Sequence, residues 1–324
     1  MVRDYGITLL LFVIVAPLWA QNQDETFAGP HIDKLIGEGK YQDAYDFIKS
    51  GALKYEAQQR VSATYYAGFG KFFLEVGKPK DAGEALRIAD TASGQSGEST
   101  HFSLREQAAY QLAQGDFSAA ASTAAKAYRE SSYRRVRDIV LEYCRGLEAL
   151  ARLRSGDLPR AEKLIRDALR SVPKDNDSEP LFAPRVLFAG CIIESHAGKF
   201  QEAQELCRRG LEVVEKKKID SRDVSLAHLA LAESYFLSGD LARSRELAEK
   251  SMEHTARMFQ PKHQDTVSAL ELLARVDMKA AKPTEAIAHA KAAVEMATEI
   301  FGAGAGGTKG PMQTLQAVSK ADVK

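Results

Sequence analysis

The stretch Ser155-Gly156-Asp157-Leu158-Pro159-Arg160-Ala161 recurs with small changes along the chain. Its glycine is typical of a helix end in left-handed backbone, and its aspartate and proline are typical of the start of the next helix. The stretch therefore predicts a tight turn between two helices. Six further copies have their turn residue at Gly39, Gly77, Gly115, Gly198, Gly239 and Ala281.

Successive turns lie 38 to 42 residues apart, which is the period of helical repeat arrays. Small side chains recur at fixed distances from each turn, because close packing of antiparallel helices requires them. The pattern predicts an all-α fold of seven antiparallel helix pairs. The position five residues after the turn holds Ala44, Ala82, Ala120, Ala161, Ala203, Ser244 and Ala286.

The turn and the small positions on either side of it resemble the tetratricopeptide repeat over residues 25–301. From the fourth repeat on, the longer period is similar to the kinesin-light-chain variety, and Phe259-x-Pro261-x-His263-x-Asp265-Thr266 resembles the link between repeats of that variety. The resemblance implies a right-handed superhelical solenoid. It also implies that the first helix of each pair lines a concave face.

The first twenty residues have the pattern of a secretory signal peptide. An apolar run from Ile7 to Ala16 is followed by Ala20 and a polar segment. We therefore expect export to a periplasmic or secreted location. The alternative is an uncleaved membrane anchor, and membrane contact is expected only in that case.

The segment 302–324 begins with a glycine-rich run, which predicts a flexible tail. Residues 312–320 form a candidate capping helix within it. Such a helix would cover the last apolar face of the solenoid.

The composition favours a soluble protein with a packed core, since 45% of residues are apolar and 27% are charged. The 44 basic and 44 acidic residues balance, which argues against a nucleic-acid partner. The seven histidines include no metal-binding pair with an acidic neighbour, and no nucleophile motif occurs in the expected context. We therefore predict a protein that is not an enzyme and has no metal and no cofactor.

Cys191 and Cys207 stand at small positions on the two facing helices of the fifth repeat. Antiparallel pairing could bring them within disulfide distance, so they form a candidate disulfide in an exported protein. The alternative is that both are buried free thiols. Cys144 would then have no partner in either case.

The resemblance to the repeat family places the binding surface on the concave face. The positions thirteen, ten and six residues before each turn are expected to point inward. An apolar centre with a polar rim suits an extended or helical peptide. The alternative is that some of these side chains pack between repeats. The candidate peptide-binding residues are Tyr143, Leu150, Arg185, Phe188, Ile192, Leu229, Glu233 and Arg275.

The sequence thus predicts an exported, non-catalytic scaffold that binds an unknown protein or peptide on its concave face. Two alternatives stay open at this point. One is a factor associated with carbohydrate or an envelope polymer, and the other is a helical accessory domain of an enzyme complex.

Overall fold

The structure is a computed structural model that describes residues 23–96, 101–133, 138–172, 182–216 and 220–322. The predicted signal peptide, residues 1–20, lies outside these ranges. The described residues form fifteen α-helices and one 3-10 helix, and they contain no strand. None of these helices is long and apolar enough to cross a membrane.

The predicted turns separate the helices of each pair. The first eight helices are α1 Gln23–Gly37, α2 Tyr41–Glu56, α3 Ala63–Glu75, α4 Pro79–Ser96, α5 His101–Ala113, α6 Phe117–Tyr133, α7 Asp138–Arg154 and α8 Leu158–Arg170. The remaining helices are α9 Ala183–His196, α10 Phe200–Lys216, α11 Arg222–Ser238, α12 Leu241–Met258, α13 Gln264–Lys279, α14 Pro283–Phe301 and α15 Lys309–Asp322. Helices α1 to α14 form seven antiparallel pairs, which confirms the predicted solenoid.

All seven turns use left-handed backbone at the predicted residue. The six glycines have φ between +71° and +91°, and Ala281 has φ +55°. Asp157 begins α8 by accepting a hydrogen bond from the backbone N–H of Arg160 at 3.2 Å. Asp240 begins α12 in the same way, with the N–H of Arg243 at 3.1 Å.

The small positions after the turns lie where the helices of each pair come closest. All seven residues of the set that begins with Ala44 and ends with Ala286 are at most 1% exposed. A longer side chain at any of them would meet the facing helix.

Helix α15 packs against α13 and α14, where an eighth pair would begin. Val318 on α15 is 3% exposed and packs with Ala274 and Ala290 of the last repeat. The glycine-rich segment before α15 forms a turn and the 3-10 helix Gly306–Thr308. The capping helix is therefore longer than the segment 312–320 considered from the sequence.

The solenoid also contacts itself, because the turn of each early repeat lies against the start of the first helix five repeats later. A Cβ atom added at Gly39 would lie 2.4 Å from the carbonyl oxygen of Asp220, just before α11. One added at Gly77 would lie 2.5 Å from the ring of His263, just before α13. We call this set of contacts the seam.

Hydrogen bonds extend the seam on both sides of these glycines. The hydroxyl of Tyr41 accepts the backbone N–H of Arg222 at 3.1 Å. The Nε2 atom of His263 donates to the carbonyl oxygen of Glu75 at 3.1 Å, while its Nδ1 accepts from Asp265 N–H. The two ends of the solenoid are therefore joined by specific contacts, and part of the concave space is filled.

Candidate functional site

The structure separates the eight predicted peptide-binding residues into two groups. Tyr143 and Arg185 lie in the filled part of the concave space. Phe188 is 4% exposed, and its ring packs where a side chain at Gly210 would otherwise stand. Tyr143 is 8% exposed and stacks on Phe182 with ring centroids 4.8 Å apart. These two aromatic side chains serve packing, as the alternative interpretation of their positions proposed.

Arg185 belongs to a buried charge network at the seam. Its guanidinium donates to both carboxylate oxygens of Glu75, at 2.8 and 3.0 Å, and to Asp223 at 2.8 Å. Arg222 donates to both oxygens of Asp265, at 2.7 and 2.8 Å. These five side chains come from α3, α9, α11 and α13, so the network joins the second repeat to the fifth, sixth and seventh.

The charge network also determines the protonation state of Glu75. Burial alone would raise the pKa of this carboxyl group, but Arg185 and Arg222 outweigh burial and hold the pKa at about 2. Glu75 is therefore ionised at neutral pH. Removing its charge would leave two buried guanidinium groups without this partner.

A second buried group of charges fills the concave space between α1, α3 and α5. Asp33 accepts from Lys71 and, at 2.6 Å, from Arg105, which also pairs with Glu106. The ring of Phe182 covers both cations, with Arg105 Cζ 4.8 Å from its centroid. The concave face is thus filled on the side of the early repeats.

The remaining predicted residues lie on α7, α9, α11 and α13, where the concave face stays open. Leu150, Ile192 and Leu229 are partly exposed. Four residues after them, on the same helix faces, stand Arg154, His196 and Glu233. Arg275 occupies on α13 the position that Glu233 occupies on α11, six residues before the turn. We call these seven residues the open face, although Glu233 itself is buried between its charged partners, with 8% of its surface exposed.

Contacts between repeats order the charged row of the open face. Glu233 lies 3.0 Å from Nε2 of His196 and 3.4 Å from a guanidinium nitrogen of Arg154. Burial raises the pKa of Glu233, but Arg154, His196 and Arg275 outweigh this effect and lower the pKa to about 2. The carboxylate therefore links the fourth, fifth and sixth repeats through one ionised group.

A cleft of about 420 Å³ continues the open face toward the C-terminal end of the solenoid. It lies between α11, α13 and α15. We call it the C-terminal cleft, and its lining residues are Phe236, Arg275, Met278, Lys279, Gln313, Thr314, Ala317 and Val318.

Two cations lie over one aromatic ring in the C-terminal cleft. The Arg275 Cζ atom is 4.3 Å from the centroid of Phe236, and the Lys279 Nζ atom is 4.2 Å from it. Lys279 also donates to the carbonyl oxygen of Phe236 at 3.4 Å. Over the described part of the chain, neither cation has a carboxylate oxygen within 4 Å.

Glu271 lies beside the cleft, one helical turn before Arg275. Its carboxylate accepts a hydrogen bond from the hydroxyl of Thr314 on α15 at 3.3 Å. Burial raises the pKa of Glu271 to about 7, against the smaller opposing effects of Thr314, Arg154 and Arg275. Glu271 is therefore only partly ionised at neutral pH.

The sequence rule missed Phe236 and Lys279, because it used only positions thirteen, ten and six before each turn. Phe236 stands three residues before Gly239, and Lys279 stands two before Ala281. An inward position two residues before the turn would have found Lys279, together with Arg154 and His196, and one three residues before it would have found Phe236. The four residues of the cleft on α15 lie beyond the repeats, so no repeat-based rule could place them.

The two cysteines of the fifth repeat lie on the facing helices α9 and α10, as predicted. The structure joins Cys191 and Cys207 in a disulfide bond with Cα atoms 5.4 Å apart, and Cys144 is a buried free thiol. The intact mass of the isolated protein with and without reductant tests this bond.

Within the described residues, no group of three or more His, Cys, Asp or Glu side chains is arranged to hold a metal ion.

Comparisons with known proteins identify the repeats. Residues 223–299, which span α11 to α14, match the family model of the tetratricopeptide repeat. No curated protein matches the sequence significantly. The similarity to the kinesin-light-chain variety stays a prediction.

Several solved structures have a similar fold. A Rap protein complexed with the competence and sporulation factor has a TM-score of 0.64 at 13% identity, over 86% of this chain and 78% of that chain. NprR in complex with its cognate peptide NprX has a TM-score of 0.61 at 11% identity, over 93% and 84%.

A chain of the APC/C hetero-tetramer Cut9–Hcn1 has a TM-score of 0.58 at 13% identity. The match covers 92% of this chain but only 49% of that chain, so the present chain spans about half its length. At these identities the likeness is one of fold. The family match identifies the sixth and seventh repeats as tetratricopeptide repeats, and the seven helix pairs have the fold of these structures.

Proposed function

We propose that the protein is a non-catalytic scaffold that binds a peptide or protein segment on the open face. The observation that carries this proposal is a partly exposed apolar row on three successive first helices beside a charged row on four. An extended or helical segment that crosses these helices can bury apolar side chains on one row and form polar contacts with the other.

The geometry favours binding because the charged row is already ordered. Arg154, His196 and Glu233 hold one another across three repeats. A ligand therefore meets side chains that lose little conformational entropy on binding. Leu150, Ile192 and Leu229 stand one helical turn away and supply the apolar surface.

Two of the fold neighbours support this proposal, because each was solved as a complex. The Rap protein was solved with the competence and sporulation factor, and NprR was solved with its cognate peptide. The rival proposal, binding of a carbohydrate or envelope polymer, would be favoured by exposed aromatic rings paired with carboxylates. Phe236 in the C-terminal cleft is covered instead by two cations, which favours a peptide.

Selection from a random peptide library with the purified protein, residues 21–324, tests the proposal. We expect selected peptides to bind, and Leu229→Gln to weaken their binding by about tenfold or more. The matched control is Leu53→Gln on α2, where the leucine is 53% exposed and lies away from the open face. If no peptide is enriched, or if both variants bind like the parent, the proposal is wrong.

We also propose that residues 1–20 direct export. The apolar run from Ile7 to Ala16 and the polar segment after Ala20 support this. The mass of the protein from each cell fraction is the test. Export predicts a mature chain that begins at Gln21, in the periplasm or medium. A chain that keeps Met1 in the membrane fraction would support the anchor instead, and one that keeps it in the cytosol would rule out both.

A further inference from the structure

The C-terminal cleft holds two cations that form no ion pair within the described residues. Arg275 and Lys279 are four residues apart on α13, and both lie over the ring of Phe236. Like charges at this spacing repel each other. Within the described residues, no carboxylate oxygen lies within ion-pair distance of either one.

The neighbouring acidic groups do not remove this excess of positive charge. Glu233 is already bound by His196 and Arg154. Glu271 accepts a hydrogen bond from the hydroxyl of Thr314 and is only partly ionised at neutral pH. Together with Arg154, the cleft region therefore presents three cations against one fully ionised carboxylate.

The other walls of the cleft suit the apolar and backbone parts of a peptide. Met278 and Ala317 offer carbon surface, while Gln313 and Thr314 offer hydrogen-bonding groups. A volume of about 420 Å³ is within the range of sites that hold small ligands or short peptide segments. Carbon surface beside paired cations distinguishes this cleft from a general anion-attracting surface.

From this arrangement we infer that the C-terminal cleft binds an acidic peptide segment, with an Asp or Glu side chain of the partner between Arg275 and Lys279. A carboxylate there would accept hydrogen bonds from both cations and would relieve their repulsion. The inference rests on the proposed function, because it specifies the chemistry of the segment that the open face binds.

The test uses acetylated and amidated peptides taken from the library selection, so that no terminal carboxylate is present. Each acidic peptide is compared by fluorescence anisotropy with its Asn or Gln counterpart. We expect the acidic form to bind at least about tenfold more tightly, with an advantage that shrinks as salt is raised. A peptide with a free C-terminus and no acidic side chain, if it binds as tightly, would assign the cleft to a terminal carboxylate and contradict the inference.

Two variants assign the effect to the cleft. Lys279→Gln changes an exposed side chain and is expected to remove most of the preference for the acidic form, and Arg275→Gln is expected to do the same. The matched control is Lys291→Gln, an exposed lysine on α14. If Lys279→Gln keeps the full preference, or if neutral peptides bind equally well, the inference is wrong while the scaffold proposal stands. If no peptide binds at all, both are wrong.

Discussion

Ala281 is the single turn residue of the seven that is not glycine, and its left-handed backbone is strained for this reason. Its φ of +55° lies in the left-handed region, where a Cβ atom costs about 1 kcal/mol or more. We expect Ala281→Gly to raise the free energy of unfolding by about 0.5 kcal/mol, after the larger entropy of the unfolded glycine chain is subtracted.

Ala280 provides the control because it is the preceding residue and has right-handed backbone, with φ −83°. There the same substitution relieves no strain, so Ala280→Gly should lower the free energy of unfolding by about 0.5–1 kcal/mol. Urea denaturation of the two variants measures both values. Changes of the same sign would contradict the assignment of strain to residue 281.

Glu271 gives a pH dependence of stability that can be isolated from the rest of the molecule. Its pKa is raised from 4.5 to about 7 in the folded protein, so ionisation of this group opposes folding above about pH 5 and does so fully above pH 7. Glu271→Gln keeps a hydrogen-bond acceptor for Thr314 and removes the charge.

We therefore expect Glu271→Gln to be more stable than the parent at pH 8.5 by about 1–3 kcal/mol, the upper value following from the size of the shift. At pH 4.5 the advantage should be largely lost, because the folded carboxyl group is then protonated. The groups that face Glu271 are Arg154, Arg275, Glu233 and Thr314, and both proteins share them. A difference in stability that does not change with pH would contradict this expectation.

At the scale of the helix, the repeated small residues determine how closely a pair can pack. Ala161 on α8 is 0% exposed, so a larger side chain there must displace a neighbouring helix. We expect Ala161→Leu to lower the free energy of unfolding by about 1–3 kcal/mol. Arg166→Leu, at an exposed position of the same helix, should change it by less than about 0.5 kcal/mol. If Ala161→Leu and Arg166→Leu unfold at the same urea concentration, the packing argument is wrong.

The sequence predicted the helices well because the information is local and repeated. The turn around Gly156, the aspartate cap and the small positions each restrict one helix pair, and seven copies in phase restrict the whole array. The open face was partly predicted for the same reason, since Glu233 and Arg275 occupy equivalent positions of their repeats. Helix α15 has no equivalent in the period, so its contribution to the cleft had no signal.

At the scale of the whole molecule, the seam could not be predicted from the period. It joins each early turn to a helix five repeats later, and this depends on how tightly the solenoid winds. Arg185 shows the consequence. It stands at a predicted inward position, but Glu75 of the second repeat reaches it from across the concave space. The sequence placed Arg185 correctly on the inward face of α9, but it gave no indication that Glu75 would occupy the concave space beside it.

Two glycines with the same backbone angle allow the seam to be tested. Gly77 and Gly198 both have φ +78°, and a lysine follows each of them. A Cβ atom at Gly198 would meet nothing within 4 Å, whereas one at Gly77 would lie 2.5 Å from the His263 ring and 3.2 Å from its Cα atom. Both substitutions to alanine therefore impose the same backbone strain, and only the one at Gly77 also adds a methyl group against the seam.

We expect Gly198→Ala to lower the free energy of unfolding by about 0.5 kcal/mol, which is the cost of left-handed backbone for alanine after the larger entropy of the unfolded glycine chain is subtracted. Gly77→Ala should cost about 1–3 kcal/mol more, since His263 is fully buried and a side chain cannot be added beside it without strain. If the seam opens to accept the methyl group, small-angle scattering should show a larger radius of gyration for Gly77→Ala alone. Equal losses of stability with equal radii would mean that the ends of the solenoid do not meet in solution, and the whole concave face would then be open to a partner.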